Sequence, residues 1–434
     1  MLNRTLGLTA AALLLMSALA SGADQTSIGS GNDGALAIAE KSPLINSAMG
    51  FLKQEAEHIA DPKLKHETLD AFTRPDTCIA HRANLTARDK AAIVKALTDA
   101  SLLSPADGRE FPGGLEAGIF PAVRDDGTAC PHLPQRFDSA PGSVFAGHHS
   151  YPGGLAMHEA FNDISSLSLA ADYRMAYGHL GADGLPTIDV SSDAGFARHG
   201  DDLAMNQDLI IAAPIWHDWG KVMVFQWNAD GTEFQELNFG GSGNSDNYGA
   251  KGDSRTPGHH ILGLAESMKR GLGPELVITQ ASAHAAPTLG NEYKVVNWIR
   301  AAAIIARIDP VANGYLSWDA THRLRLPALG ATGTFGLQAA PTSPTAFLPE
   351  FTINNFSDGN YYLAVPAAFD LGVILEKLAP EFGMDPNDRA RFNNKFRNPV
   401  LSYLSAERLM FVYARQGLAG VQAQVRQLRS RNLI

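Results

Sequence analysis

The chain of 434 residues is poor in cysteine and in charge: it has two Cys, and only 18% of its residues are Asp, Glu, Lys or Arg. Cys78 and Cys130 stand too far apart for a zinc-finger framework and allow a single disulfide between them. Clusters of Lys and Arg are missing, and the net charge is −10. That balance excludes a protein built to grip nucleic acid or an anionic membrane. No internal repeat, no Gly-rich phosphate loop and no compositional sign of disorder is present. With 45% hydrophobic residues, the chain has the composition of a globular protein, long enough for two or three domains or one core with large insertions.

The N-terminus carries an apolar stretch of its own kind: "MLNRTLGLTAAALLLMSALASGADQ". Arg4 precedes an apolar run of about a dozen residues, short of the about 20 needed to cross a bilayer. Ala18-Leu19-Ala20 then supplies a small-x-small cleavage pattern. Residues 1–20 therefore read as a secretory signal peptide, which predicts an exported protein, periplasmic or secreted, without a stable membrane anchor. Oxidising surroundings would allow Cys78 and Cys130 to pair.

Residues 21–140 alternate helical stretches with Pro/Gly loops and form a helical N-terminal extension. Residues 141–315 are strongly helical in their spacing. Pro152-Gly153-Gly154 breaks the chain before a helix with Leu155, His158, Phe161, Ile164, Ser165 and Leu169 on one face. "VMVFQWNADGTEFQELNF" reads as a β-hairpin turning at Ala229-Asp230-Gly231, and the Gly/Ser/Asn tract after it as a loop. Residues 316–434 hold strand-like pieces, "HRLRLPAL" and "EFTINNFSDGNYYLAV", followed by helices from Asp370. Arg408, Arg415, Arg426 and Arg429 lie along the last, amphipathic helix as a solvated face. The expected fold is mainly α, with a small mixed α/β C-terminal part.

Histidine is where the sequence concentrates its chemistry. Of 14 His, nine fall between His148 and His284. A lone imidazole on an apolar helix face is usually a satisfied core residue. Here successive apolar segments each carry His or Asp: "GHHSYPGGLAMH", "WHDWGK", "PGHHILG", "ASAHAAP" and "IIARIDP". Unpaired charge inside a core costs several kcal/mol, so convergent imidazoles and carboxylates imply a compensating cation such as Zn, Mn, Fe or Ni.

The ordered set resembles the HD superfamily of metal-dependent phosphohydrolases over roughly His148 to Pro310. "HHSYPGGLAMH" resembles an HHxYxGGLxxH opening, "HDWGK" an HDxGK core, and "GHHILG" a helix start with His four residues before Gly263. The resemblance implies an HD-type helical bundle with an inserted β-hairpin. It also implies the metal ligands His158, His217, Asp218, His259, His284 and Asp309, holding two divalent ions bridged by Asp218. Asp218 and Lys221 are the expected catalytic residues, and Gly220 is expected to let a neighbouring backbone pack closely. His148, His149, Lys221 and His260 are the candidates for contact with a small phosphorylated substrate, and His260 also rivals His259 as a ligand. The pattern is not uniform: Glu159 stands where relatives often have Thr, and "SAHAAP" lacks the paired His and Gly common there. No Gly-Tyr-Pro motif follows "HDWGK", so cyclic-dinucleotide hydrolysis is not indicated. Two other functions share these ligands: an HD-fold di-iron oxygenase and a non-catalytic, metal-stabilised binding module.

Overall fold

The structure is a computed structural model that describes residues 28–74, 76–79, 85–124, 127–189, 203, 205–239, 254–329 and 348–434. The signal peptide expected at 1–20 lies outside the described residues, as does most of the Gly/Ser/Asn tract. Among the described residues the fold is mainly helical, with two short antiparallel sheets, and no helix is long and apolar enough to cross a membrane.

Local chemistry accounts for the helices that frame the centre. In α1 (Asn32–Ala39) and α2 (Pro43–Glu57), the second starts on Ser42, whose hydroxyl accepts from the Ile45 amide, with Pro43 preset in the first turn. Its buried residues Ile45, Ala48, Leu52 and Ala56 recur at helical spacing. α3 (Pro62–Thr73) is capped by Asp61, and α4 (Ala87–Asp99) by a Thr86/Asp89 capping box. Two short helices follow, α5 (Asp107–Glu110) and α6 (Gly114–Ile119).

The central helices are α7 (Gly154–Tyr177), α8 (Gln207–His217), α9 (Lys221–Val224), α10 (Gly258–Lys269), α11 (Pro274–Ser282) and α12 (Glu292–Ala306). α8 is buried on every side from Leu209 to His217, with α7, α10 and α11 packed around it. Two indoles tie it to the N-terminal region: Trp216 Nε1 donates to Thr68 Oγ1 at 3.0 Å and Trp219 Nε1 to the Ala71 carbonyl at 2.6 Å. At Gly220 a Cβ would lie 2.1 Å from the His259 carbonyl oxygen, so the close approach expected of this glycine is real and no other residue fits.

The Cys78–Cys130 disulfide is formed across a separation of 52 residues. Closing a loop of that length stabilises the fold by roughly 4 kcal/mol in the chain-entropy description. Buried Glu266 of α10 then anchors the loop, accepting from Thr77 Oγ1 and from the Cys78 and Ile79 amides.

Three expectations need correction. The buried face of α7 is Leu155, His158, Glu159, Asn162, Asp163, Ser166 and Ala170, while Ile164 is exposed. Polar residues point inward because they meet polar partners at the centre, which an apolar-periodicity argument does not register. The hairpin survives only as a tight turn: Phe234 N–H donates to the Gln226 carbonyl and Asn228 N–H to that of Thr232, whereas "VMV" belongs to α9. The strands that form, β1 (Asn238–Phe239) with β2 (Thr256–Pro257) and β3 (Ser317–Trp318) with β4 (Leu324–Arg325), are two residues each. "EFTINNFSDGNYYLAV" is helical, forming the end of α13 (Pro349–Ser357), a 3-10 turn (Asp358–Asn360) and the start of α14 (Tyr361–Leu378). Glu350, Ile353, Asn354 and Ser357 are buried at 3, 4 and 7 residues from the first, a helical period that overrides the β propensity of Thr352 and Ile353.

The chain ends in α15 (Arg389–Phe392), α16 (Asn398–Leu404) and α17 (Ala406–Ser430). One hydrophobic core runs from Ala39 to Leu428 and joins N-terminal, central and C-terminal helices. The turn at Gly231 docks on the C-terminal region, where Asn398 Nδ2 donates to the Gly231 carbonyl. Beside it Glu233 is buried with neither carboxylate oxygen hydrogen-bonded. Burial lifts its pKa to about 8 against the pull of Arg397. The native state thus keeps a proton that the unfolded chain releases above about pH 4.5, so stability falls as pH rises from there to about 8. Glu233→Gln is expected to raise Tm at pH 8.5, with the gain shrinking towards pH 5. Equal melting temperatures at pH 8.5 would contradict this.

Candidate metal centre

Five of the six expected ligands meet. α7 supplies His158, α8 supplies His217 at its last turn, and Asp218 caps that helix. α10 supplies His259 from its first turn, and His284 follows α11. Asp218 Oδ2 lies 3.0 Å from His158 Nε2 and 3.4 Å from His217 Nε2. Its other oxygen, Oδ1, faces the opposite way, 2.8 Å from His259 Nε2 and 3.7 Å from His284 Nε2.

Asp309 is not among them. It is exposed beyond the end of α12, where Oδ1 accepts from the Val311 and Ala312 amides and caps a turn. The second acid is Asp358, whose Oδ1 lies 3.3 Å from His158 Nε2 and 3.6 Å from His217 Nε2. Four overlapping groups of possible ligand atoms result: His158, His217 and Asp358 on one side, Asp218, His259 and His284 on the other, Glu159, His217 and Asp218 between them, and His148, His149 and His158 at the edge. Nitrogen and oxygen ligands bound at about 2.0–2.2 Å around one cation stand about 3–3.5 Å apart, and these spacings are of that size. Asp218 Oδ1 and His259 Nε2, both buried, have only each other within hydrogen-bond reach, at 2.8 Å.

Outer contacts orient the rings. His259 Nδ1 lies 2.8 Å from Glu236 Oε2, and the same carboxylate takes the His259 amide at 2.7 Å. His217 Nδ1 lies 2.7 Å from the Pro214 carbonyl and 3.1 Å from Glu159 Oε2. A ring that gives its Nδ1–H to a carbonyl or carboxylate presents a bare Nε2 to a metal. Glu159 is buried against His217 and is itself grouped with His217 and Asp218 as a possible ligand. The Asn162 amide nitrogen, 3.2 Å from His158 Nε2, completes this side.

The electrostatics are those of a cluster with too much negative charge. Burial pushes the imidazoles down, yet Asp218 and Glu159 carry His217 well above its ordinary value. Burial likewise opposes protonation of His259, but Glu236 and Asp218 lift it to about 9. Burial raises Asp218 and Asp358, and in both the neighbouring cationic side chains overcome it and hold the carboxyl well below the usual range. Burial wins at the other rings and holds His148, His149, His260 and His284 below the ordinary value.

The remaining candidates divide. Lys221 is buried, with its ammonium between Asp218 Oδ2 and the Gly142 carbonyl. The His148 ring lies 4.6 Å from that of His158, and His149 is buried behind it. His260 is fully buried, 4.1 Å from the His284 ring and edge-on to Trp298 at 4.8 Å. It is not among the grouped ligand atoms: successive residues on a helix point about 100° apart, and His259 takes the position facing Asp218. Asp358 and His284 are the most open members, with side chains 21% and 19% exposed, and mark the side on which the centre meets solvent.

No protein-family model, no curated protein and no solved structure matches this chain. The class defined by fold and site is a helical protein with buried His/Asp/Glu groups able to hold metal, compatible with an HD-type site.

Proposed function

We propose that the protein is an exported, metal-dependent phosphohydrolase acting on phosphomonoesters or phosphodiesters through two divalent cations bridged by Asp218. The observation that carries this reading is the division of Asp218, whose two oxygens face different groups of imidazoles. A carboxylate serving one ion has no need of that division.

In this reading His158, His217 and Asp358 would hold one ion, His259 and His284 the other, and Asp218 would serve both. Mn, Fe, Zn or Ni bound there supplies Lewis acidity and a water of lowered pKa. The chain's own groups do the rest. Lys221, pinned by the Gly142 carbonyl, keeps a fixed positive charge beside the bridge. Asp358 and His284 border the opening through which a small phosphorylated substrate enters, and His148 stands beside His158 in reach of it. No side-chain nucleophile is required.

The test is an assay of protein loaded separately with Mn, Zn, Ni or Fe(II) against phosphomonoester and phosphodiester substrates, before and after chelation. Turnover that disappears with the metal and returns on reloading is expected. Oxygen uptake by the iron form with no phosphoester turnover under any metal would contradict the proposal.

A further inference from the structure

Two ligands of the centre, His259 and His217, have a carboxylate behind the ring, Glu236 and Glu159. A carboxylate stands against a third imidazole as well, that of His149, which is grouped with His148 and His158 and meets its acid through Nε2 in place of Nδ1. His149 Nε2 lies 3.2 Å from Oε1 of Glu407, in the first turn of α17. That oxygen is buried and has no partner apart from this contact. On its other edge His149 Nδ1 lies 3.4 Å from His148 Nδ1, and the His148 ring stands 4.6 Å from His158. A continuous line of side chains therefore runs from the C-terminal helix to the metal ligands.

His149 is also held in place at a cost. Its φ is 53°, in the left-handed region that residues other than glycine rarely adopt. Its carbonyl accepts from the Gly142 and Tyr151 amides. Two glycines make room for it: a Cβ at Gly142 would lie 2.6 Å from the His149 Cβ, and one at Gly154 only 1.8 Å from its carbonyl oxygen. Strain of this kind, on the order of 1–3 kcal/mol, persists where the surroundings over-determine a conformation and collects at functional sites.

We infer that Glu407 is a positioning residue: it fixes the ring and tautomer of His149 and, through His149, the ring of His148 beside the metal ligands. The Glu407 oxygen Oε1 has no other donor within reach, so His149 keeps its proton on Nε2 and turns a bare Nδ1 to His148. His148 then gives its Nδ1–H to that nitrogen, and its Nε2 is left as an acceptor. One carboxylate on the last long helix thus sets the hydrogen-bonding sense of both tandem histidines. The inference extends the phosphoester reading only in its second readout, which uses inorganic phosphate.

The experiment compares wild type, Glu407→Ala, Glu407→Gln, His149→Gly and the double variant Glu407→Ala/His149→Gly, all zinc-loaded. Glycine is chosen at 149 because it accepts the left-handed backbone. Metal content is expected to be equal in all five. In ¹⁵N imidazole spectra, His149 of wild type and Glu407→Gln is expected as the single Nε2–H tautomer, and Glu407→Ala as a mixture. Phosphate affinity is expected to fall about tenfold in Glu407→Ala and in His149→Gly, the scale of losing an outer-contact partner. It should fall no further in the double variant, because Glu407 acts through His149. Glu407→Gln is expected within about threefold of wild type, since its carbonyl still accepts from Nε2–H. An Nδ1–H tautomer in wild type, or losses that multiply in the double variant, would overturn the inference. A wild type that takes up zinc but binds no phosphate would sink the phosphoester reading, while the spectra would still decide the role of Glu407.

Discussion

Asp358→Ala is expected to strip the protein of a tightly held metal ion, while Asp309→Ala leaves metal content unchanged. The two acids differ in what they touch. Asp358 Oδ1 lies within 3.6 Å of the Nε2 atoms of both His158 and His217, and these cations hold its carboxyl well below the usual range. Asp309 instead receives two backbone amides at an exposed turn. Removing Asp358 leaves His158 and His217 to share Asp218 without their second acid. Replacing an outer contact of a metal ligand costs about 10–100-fold in affinity or activity, and losing a direct ligand exceeds that. Turnover in Asp358→Ala should therefore drop by more than about a hundredfold. Asp309→Ala should lose no more than about 1 kcal/mol of stability through the uncapped turn. Metal analysis after gel filtration, with a phosphoester assay, decides between them. Metal lost from Asp309→Ala and kept by Asp358→Ala would reverse the assignment.

These two residues also mark how far the sequence could be read. His158, His217, Asp218, His259 and His284 were legible because each lies in an apolar helical segment where an uncompensated polar group is costly, and because their order forms a pattern. Asp358 carried no such signal. It follows a stretch with β-branched and Asn-rich text, in a region without motif, and its approach to His158 exists only once α13 packs on α7. Asp309 had the right neighbours in sequence, but α12 ends at Ala306, and Arg307, with φ 56°, turns the chain outward before the acid is reached.

The outer carboxylates were hidden for a related reason. Glu236 lies beside the short β1 strand and Glu407 on the final helix, and neither has a sequence relation to the ring it backs. Glu159 was visible only as a departure from the pattern the sequence resembles, although its burial against His217 gives it a reason to be there. Helix existence was read better than helix facing. The periodicity of α7 marked the helix, but Ile164 is exposed and Asn162 and Asp163 are buried, because the inward face was selected by the centre and not by hydrophobicity.

The largest expected effect belongs to Asp218. Its two oxygens face different imidazole groups, and three cationic partners crowd it: His217, Lys221 and His259. Asn in its place keeps the volume and one carbonyl oxygen but removes the charge and the second acceptor. Neither group of imidazoles then has a bridging acid, Lys221 is left buried without its counter-ion, and turnover should fall to background. The decisive measurement is metal stoichiometry of protein dialysed against trace metal, by elemental analysis together with anomalous diffraction. Wild type should carry two ions per chain with Asp218 between them, and Asp218→Asn at most one. A wild type that holds no metal at the His158–His217–Asp218–His259 cluster, or an Asp218→Asn variant that retains both ions, would contradict the account.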